Sequence, residues 1–150
     1  MWSDVSNLKF TRKEFGKVHI EMWFISGENE NSDGQGEFLA WARPPIFGGD
    51  IIFDDENWSL DSYNSFYSQY FRKWNLLKVA THELGHAVGI SHSKKTTALM
   101  AAGASLTLLG EVRLDVDDIL AVQELYGAPG LPRPKVEDFK EVDIEAGNFG

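Results

Sequence analysis

Three of the four histidines fall in one short segment, THELGHAVGISH, where His82, Glu83, His86, Gly89 and His92 fit the pattern H-E-x-x-H-x-x-G-x-x-H. Four residues advance an α-helix by little more than one turn, so His82 and His86 project from one face and can aim imidazole nitrogens at one ion. Gly89 stands where a left-handed residue would end that helix without a Cβ clash, and His92 follows at the reach needed for a third imidazole. Three neutral imidazoles leave the fourth tetrahedral position of Zn2+ open to water, which is the coordination of a catalytic site rather than a structural one. Glu83 lies beside the first ligand and outside the coordination shell, where a carboxylate can take a proton from that water and later give it up. A lone histidine on an apolar helix is more often a core residue than a ligand. Five residues at their required offsets set that reading aside here, while for His19 the strand residue is the better reading.

The elements that must position these groups can be read in outline. From Asn75 to Val88 the pattern is helical, with Leu76, Val79, Ala80, Leu84, Ala87 and Val88 on a wide apolar face and Lys78, Thr81 and Gly85 as a thin outer stripe, so a nearly buried helix is expected. A second helix is expected at Val116 to Tyr126, with Asp115 as N-cap, acids in its first turn, Ile119, Val122 and Tyr126 on one face, and Gly127 ending it. Leu8 to Arg12, Val18 to Ile25, Phe38 to Arg43 and Asp50 to Phe53 read as strands, separated by loops at Ser26 to Gly36 and Pro44 to Gly49. Ser59 to Trp74 reads as a loop with locally packed aromatics. Residues 128–150 mix proline with alternating charge and read as an acidic linker or tail behind a domain spanning 1–127.

A chain of 150 residues, 43% hydrophobic and 13% aromatic, can build one real core. Its formal charge of -9 argues against a nucleic-acid partner, because phosphate contacts need clustered Lys and Arg. With no cysteine, disulfides, thiolate zinc sites and thiol nucleophiles are excluded together. No apolar run reaches the ~20 residues needed to cross a bilayer, and MWSDVSNLKF lacks the layout of a signal peptide.

The segment THELGHAVGISHSKKTTALM resembles the matrix metalloproteinases, the matrixins of the metzincin clan, with Ser93 directly after the third histidine and Met100 eight residues beyond it. SDVSNLKFTR, DGQGEFLAWA, GGDIIFDDENW, NLLKVATHE and DDILAVQELYG are similar to matrixin segments in matrixin order, over about residues 2 to 127. The resemblance implies an α+β metzincin fold: a twisted, mostly parallel sheet with an antiparallel edge strand, an active-site helix and a C-terminal helix. It implies zinc ligands His82, His86 and His92, Glu83 as general base, and Met100 as the Met-turn residue under the metal. The implied activity is zinc-dependent endopeptidase hydrolysis of extended protein or peptide substrates by Glu-assisted attack of water. The substrate strand would lie antiparallel to the edge strand near Phe38 to Arg43. A secreted, extracellular, monomeric protein is implied as well.

The resemblance further implies a Ca2+ site from Asp33, Gly34, Gly36, Asp54 and Glu56, for which a solvated acidic loop is the competing reading. Asp50 matches a position serving a second calcium, with His19 where its partner aspartate would stand. The matrixins' second zinc would use positions held here by Ser26, Trp41 and Ile52, with Glu28 in place of an aspartate, so one zinc is expected. Ala101, Ala102, Gly103 and Ala104 replace the bulky residues that wall the S1′ pocket, and a lower wall follows. The match starts near the end of the family's first helix, so the first strand and most of that helix are expected to be missing, as from an incomplete chain of a longer secreted precursor. A metal-holding pseudoprotease and a serralysin-type bacterial protease are the rivals, disfavoured respectively by the intact Glu83 and by the segments GGDIIFDDENW and DDILAVQELYG.

Overall fold

A computed structural model describes residues 1–25, 39–55, 58–60, 74–103 and 111–131. In chain order the elements are α1 (Trp2–Val5), β1 (Met22–Ile25), β2 (Ala40–Ala42), a 3-10 turn at Pro45–Phe47, β3 (Ile51–Asp54), β4 (Trp58–Ser59), β5 (Trp74–Asn75), α2 (Leu76–Ala87) and α3 (Val116–Tyr126). Three strands form a sheet in the order β1-β3-β2. The β1/β3 pairing is parallel, with Met22 opposite Ile51, and the β2/β3 pairing is antiparallel, with Ala42 opposite Ile51. The expected mixed sheet with an antiparallel strand at its edge is therefore present. A short parallel pair, β4 with β5, leads directly into α2.

Period-two patterning explains β3. Ile51 and Phe53 are buried and point at α2, while Ile52 and Asp54 alternate to the other face and are half-buried. The apolar face of β3 meets Val79 and Ala87 of α2, with Ile20, Leu39, Trp58 and Leu76 packed around them. A second cluster lies beyond α2, where Trp2, Val88, Ile90, Leu99, Met100 and Val122 come together. Helix α2 is thus clamped between two apolar layers, and six of its 12 residues are buried, fewer than the nearly buried helix expected.

Two expectations about α2 and the strands are corrected. Thr81 and Gly85 do not form an outer stripe: both are buried, and the exposed edge is instead Leu77, at 58%. Thr81 satisfies its hydroxyl on the Leu77 carbonyl (2.7 Å), which lets a polar residue face the core, and Gly85 is small because Met100 and Trp2 press against it. Leu8 to Arg12 forms no strand, and Val18 to Ile25 contributes only Met22–Ile25. Alternation makes a segment competent for a ladder, but a strand exists only where a partner edge pairs with it. The loops expected at Ser26 to Gly36 and most of Ser59 to Trp74 lie outside the described residues.

A Cβ on Gly85 would stand 2.5 Å from Met100 Sδ and 3.0 Å from both Met100 Cε and Trp2 Cζ2. Gly85→Ala should therefore destabilise the protein: overpacking costs about 1–3 kcal/mol, against a helix-propensity gain of ~1 kcal/mol. Thermal unfolding of the variant should show a lowered Tm despite the better helix former.

Among the described residues no helix is long and apolar enough to cross a membrane.

Candidate metal centre

Helix α2 starts at the Asn75 N-cap, whose side chain accepts from the Lys78 N–H at 3.0 Å. It ends in a Schellman turn: the Gly89 N–H donates to His86 O (2.9 Å) and the Ile90 N–H to Gly85 O (2.9 Å), with Gly89 at φ 97°. Only glycine enters that left-handed conformation without strain, and the turn redirects the chain so that His92 comes back over the helix. The spacing argument is realised in space. Nε2 of His92 lies 3.3 Å from Nε2 of His82 and 3.1 Å from Nε2 of His86.

The tautomers follow from the other ring nitrogens. His82 Nδ1 faces the Leu99 carbonyl at 2.7 Å and His86 Nδ1 faces the Ile90 carbonyl at 2.7 Å. A carbonyl only accepts, so each Nδ1 carries the proton and each Nε2 presents a lone pair. Burial pushes the His82 imidazole down to about 4, outweighing the Leu99 hydrogen bond, and burial likewise lowers His86. Neutral rings whose lone pairs converge repel one another unless a cation lies between them. A tetrahedral zinc with bonds of about 2.0–2.1 Å would separate its nitrogen ligands by about 3.3–3.4 Å, close to the separations found. The three nitrogen donors fit zinc, and among the described residues His82, His86 and His92 form the cluster able to hold a metal.

Glu83 is 6% exposed and lies on the side of α2 facing β2, where the Ala42 N–H donates to its carboxylate. Burial pushes its carboxyl up to about 7, the Ala42 hydrogen bond pulling the other way. The Arg43 N–H of the same segment donates inward to Asp50 O at 2.8 Å. Successive N–H groups of a strand alternate between its edges, so the Ala42 N–H points to the outer edge of β2, the edge that β3 does not use. Glu83 therefore touches a strand edge that has no partner among the described residues, as well as flanking a histidine.

Met100 is buried against Gly85 of α2. The loop from Ser93 to Ala101 closes on itself through the Ser93 N–H to Met100 O bond (2.8 Å) and is fastened to the start of α3. Ser93 Oγ donates to Asp117, Lys95 Nζ reaches Asp115 at 2.6 Å, and Thr97 Oγ1 donates to Asp115 at 2.8 Å. The Lys95 ammonium foremost, with the Asp117 N–H and the Thr97 hydroxyl, holds the Asp115 carboxyl down at about 2. A depressed carboxyl stabilises the fold above its ordinary value of 3.8 and loses that contribution as pH falls toward about 2. Acid titration between those two values should therefore weaken the hold of α3 on this loop and lower the protein's stability. Asp115→Asn, which caps a helix equally well, should flatten that part of the acid-unfolding profile.

Of the calcium residues, Asp33, Gly34, Gly36 and Glu56 lie outside the described residues, while Asp54 is half-buried at the end of β3. Asp50 spends an oxygen on the Glu21 N–H at 3.2 Å. Where bulky pocket residues would stand, Ala101 is buried and Ala102 and Gly103 are exposed; Ala104 lies outside the described residues. Sequence reasoning missed Asp118, which is 1% exposed and takes hydrogen bonds from the N–H groups of Leu99, Met100 and Asp115. The capping-box spacing with Asp115 was its one visible signal.

The matrixin model of the peptidase M10 family matches residues 1–127. The chain belongs to the matrixin family. Interstitial collagenase of Bos taurus is 37% identical over 141 residues, covering 91% of this chain and 28% of that protein. Interstitial collagenase of Sus scrofa is 41% identical over 133 residues, 85% of this chain and 26% of that one. Macrophage metalloelastase of Oryctolagus cuniculus is 39% identical over 140 residues, 89% and 28% respectively. This matrixin thus spans little more than a quarter of the length of the curated relatives it matches.

Proposed function

We propose that this matrixin chain carries the catalytic unit of a zinc-dependent endopeptidase acting on extended protein segments. The observation that carries the proposal is the convergence of three Nε2 atoms, two with fixed tautomers, beside the buried carboxylate of Glu83. Zinc held by these nitrogens supplies Lewis acidity, acidifying water and polarising a carbonyl. His82 and His86 hold their lone pairs inward through the Leu99 and Ile90 carbonyls. Glu83, beside the first ligand and bonded to the Ala42 N–H, is placed to take the proton of the attacking water and pass it to the departing amine.

The outer edge of β2 supports a substrate bound by strand addition, antiparallel to Leu39–Arg43, since its backbone groups there are turned away from β3. That edge leads the scissile bond to Glu83 through the Ala42 contact. Ala102 and Gly103, both exposed, stand where the family's bulky pocket residues would be, and a lower wall on that side belongs to the same reading. A catalytic unit at 1–127 with a linker behind it agrees with the extent of the family match. Calcium bound by Asp33, Gly34, Gly36, Asp54 and Glu56, and action outside the cell, belong to the same reading by family resemblance. Purified protein should hold about one zinc per chain and cleave a denatured protein, with a chelator stopping the reaction. Zinc-loaded protein that leaves every peptide in a broad library intact would overturn the proposal.

A further inference from the structure

We infer that Asp118 is a positioning residue for the metal centre, its carboxylate orienting His82 through the single peptide group that joins Leu99 to Met100. That peptide is bonded at both ends. Its N–H, on Met100, donates to Asp118 Oδ1 at 3.0 Å, and its carbonyl, on Leu99, accepts from His82 Nδ1 at 2.7 Å. A carboxylate bonded to an amide N–H draws electron density onto the amide oxygen, so the carbonyl becomes a stronger acceptor for the imidazole N–H. The stronger that bond, the more firmly the Nδ1–H tautomer is fixed and the more basic Nε2 becomes as a ligand. Histidine ligands commonly donate to a carboxylate directly; here a peptide is interposed and transmits the same effect.

The arrangement is built to be rigid. Asp118 is 1% exposed, and its second oxygen, Oδ2, accepts from the Leu99 N–H at 2.8 Å and the Asp115 N–H at 2.7 Å. Both N–H groups flanking the relaying carbonyl are thereby tied to one side chain. A residue needed only to cap α3 would require the Asp115 bond alone; the two bonds to Leu99 and Met100 aim at the loop under His82. The carboxylate is held in turn by α3, whose Val122 is fully buried against Trp2 and Met100.

The inference rests on reading the three histidines as a zinc site, and its test separates the two. Zinc affinity, by competition with a chelator, and the visible spectrum of the cobalt-substituted protein are compared for wild type, Asp118→Asn and Val122→Ala. The last loosens the same helix without touching the carboxylate. Asp118→Asn turns one acceptor into a donor facing N–H groups, and should weaken zinc binding roughly 10–100-fold and shift the cobalt bands. Val122→Ala should lower Tm and leave affinity within about twofold of wild type. Ring 15N shifts of the metal-free proteins supply a readout that needs no metal: His82 should be the Nδ1–H tautomer in wild type and mixed in Asp118→Asn. An unchanged affinity and spectrum in folded Asp118→Asn, or an equal loss in both variants, overturns the inference. Should Asp118→Asn not fold, Asp118→Ser carries the same comparison, and a wild-type His82 in the Nε2–H form overturns the relay by itself. Wild type that takes up no zinc overturns the proposed function, while the ring-nitrogen comparison still decides the relay.

Discussion

Glu83→Gln should retain zinc and lose peptide-bond hydrolysis by roughly 10²–10⁴-fold, the range removed with a positioned general base. The substitution keeps an oxygen for the Ala42 N–H and the volume of the side chain, so the β2 edge and helix α2 stay in place. What it removes is the capacity to accept a proton. Loss of turnover with unchanged zinc content and Tm then isolates the chemistry from the scaffold. Replacing Glu83 by Ala is a harsher test, because it also leaves the Ala42 N–H without its acceptor. If Glu83→Gln turns over as wild type does, the proton is handled elsewhere and the role of Glu83 falls. His86→Ala gives the complementary pattern, in which metal is lost and activity with it.

How much of this could be read beforehand depended on how local the cause was. His82, Glu83, His86, Gly89 and His92 were legible because helical periodicity and one left-handed glycine fix their relative positions within eleven residues of chain. The bounds of α3 were legible for the same reason: Asp115 caps it, Asp118 completes the capping box, and Gly127 closes it with its N–H on Gln123 O. Strand bounds were read less well. Leu8 to Arg12 and the front of Val18 to Ile25 have strand composition, but the ladder is made by a partner, and pairing is not a property of either segment alone.

The supports of the site were the least legible part. Asp118 looks like one more acid in a helix start, where acids are expected for dipole reasons alone. Its bonds to Leu99 and Met100 reach back nineteen and eighteen residues, and nothing in local spacing foretells them. Thr81 and Gly85 misled in the opposite direction, since small or hydroxylated residues read as a solvent face unless the neighbour pressing on them is known. That neighbour is Trp2, 79 residues from Thr81. The calcium residues illustrate a different limit, because their grouping rests on likeness to a family and only Asp54 lies among the described residues.

Trp2 should prove the most costly core truncation outside the zinc segment. Helix α1 is four residues long, too short to hold itself in water, so its place is set by what Trp2 buries. The indole is 2% exposed, its Nε1–H donates to the Thr81 carbonyl at 2.9 Å, and its ring edge fills the space over Gly85 beside Met100. Trp2→Ala removes that wedge from between α1, α2 and the Met100 loop, and should cost about 3–5 kcal/mol. Against a total of about 5–15 kcal/mol for a domain, that is a large fraction. Trp2→Phe separates the two contributions: it keeps most of the apolar contact and loses the hydrogen bond, for a cost of about 1–3 kcal/mol in an otherwise buried carbonyl. The ordering Trp2→Ala, then Trp2→Phe, then wild type should appear in denaturant midpoints. Because Thr81 precedes His82 and Gly85 precedes His86, zinc should leave Trp2→Ala faster than wild type under a chelator. Equal midpoints for Trp2→Ala and wild type would mean that α1 contributes nothing to holding the metal helix, and that the sheet-side contacts of Val79 and Ala87 with Ile51 and Phe53 hold it alone.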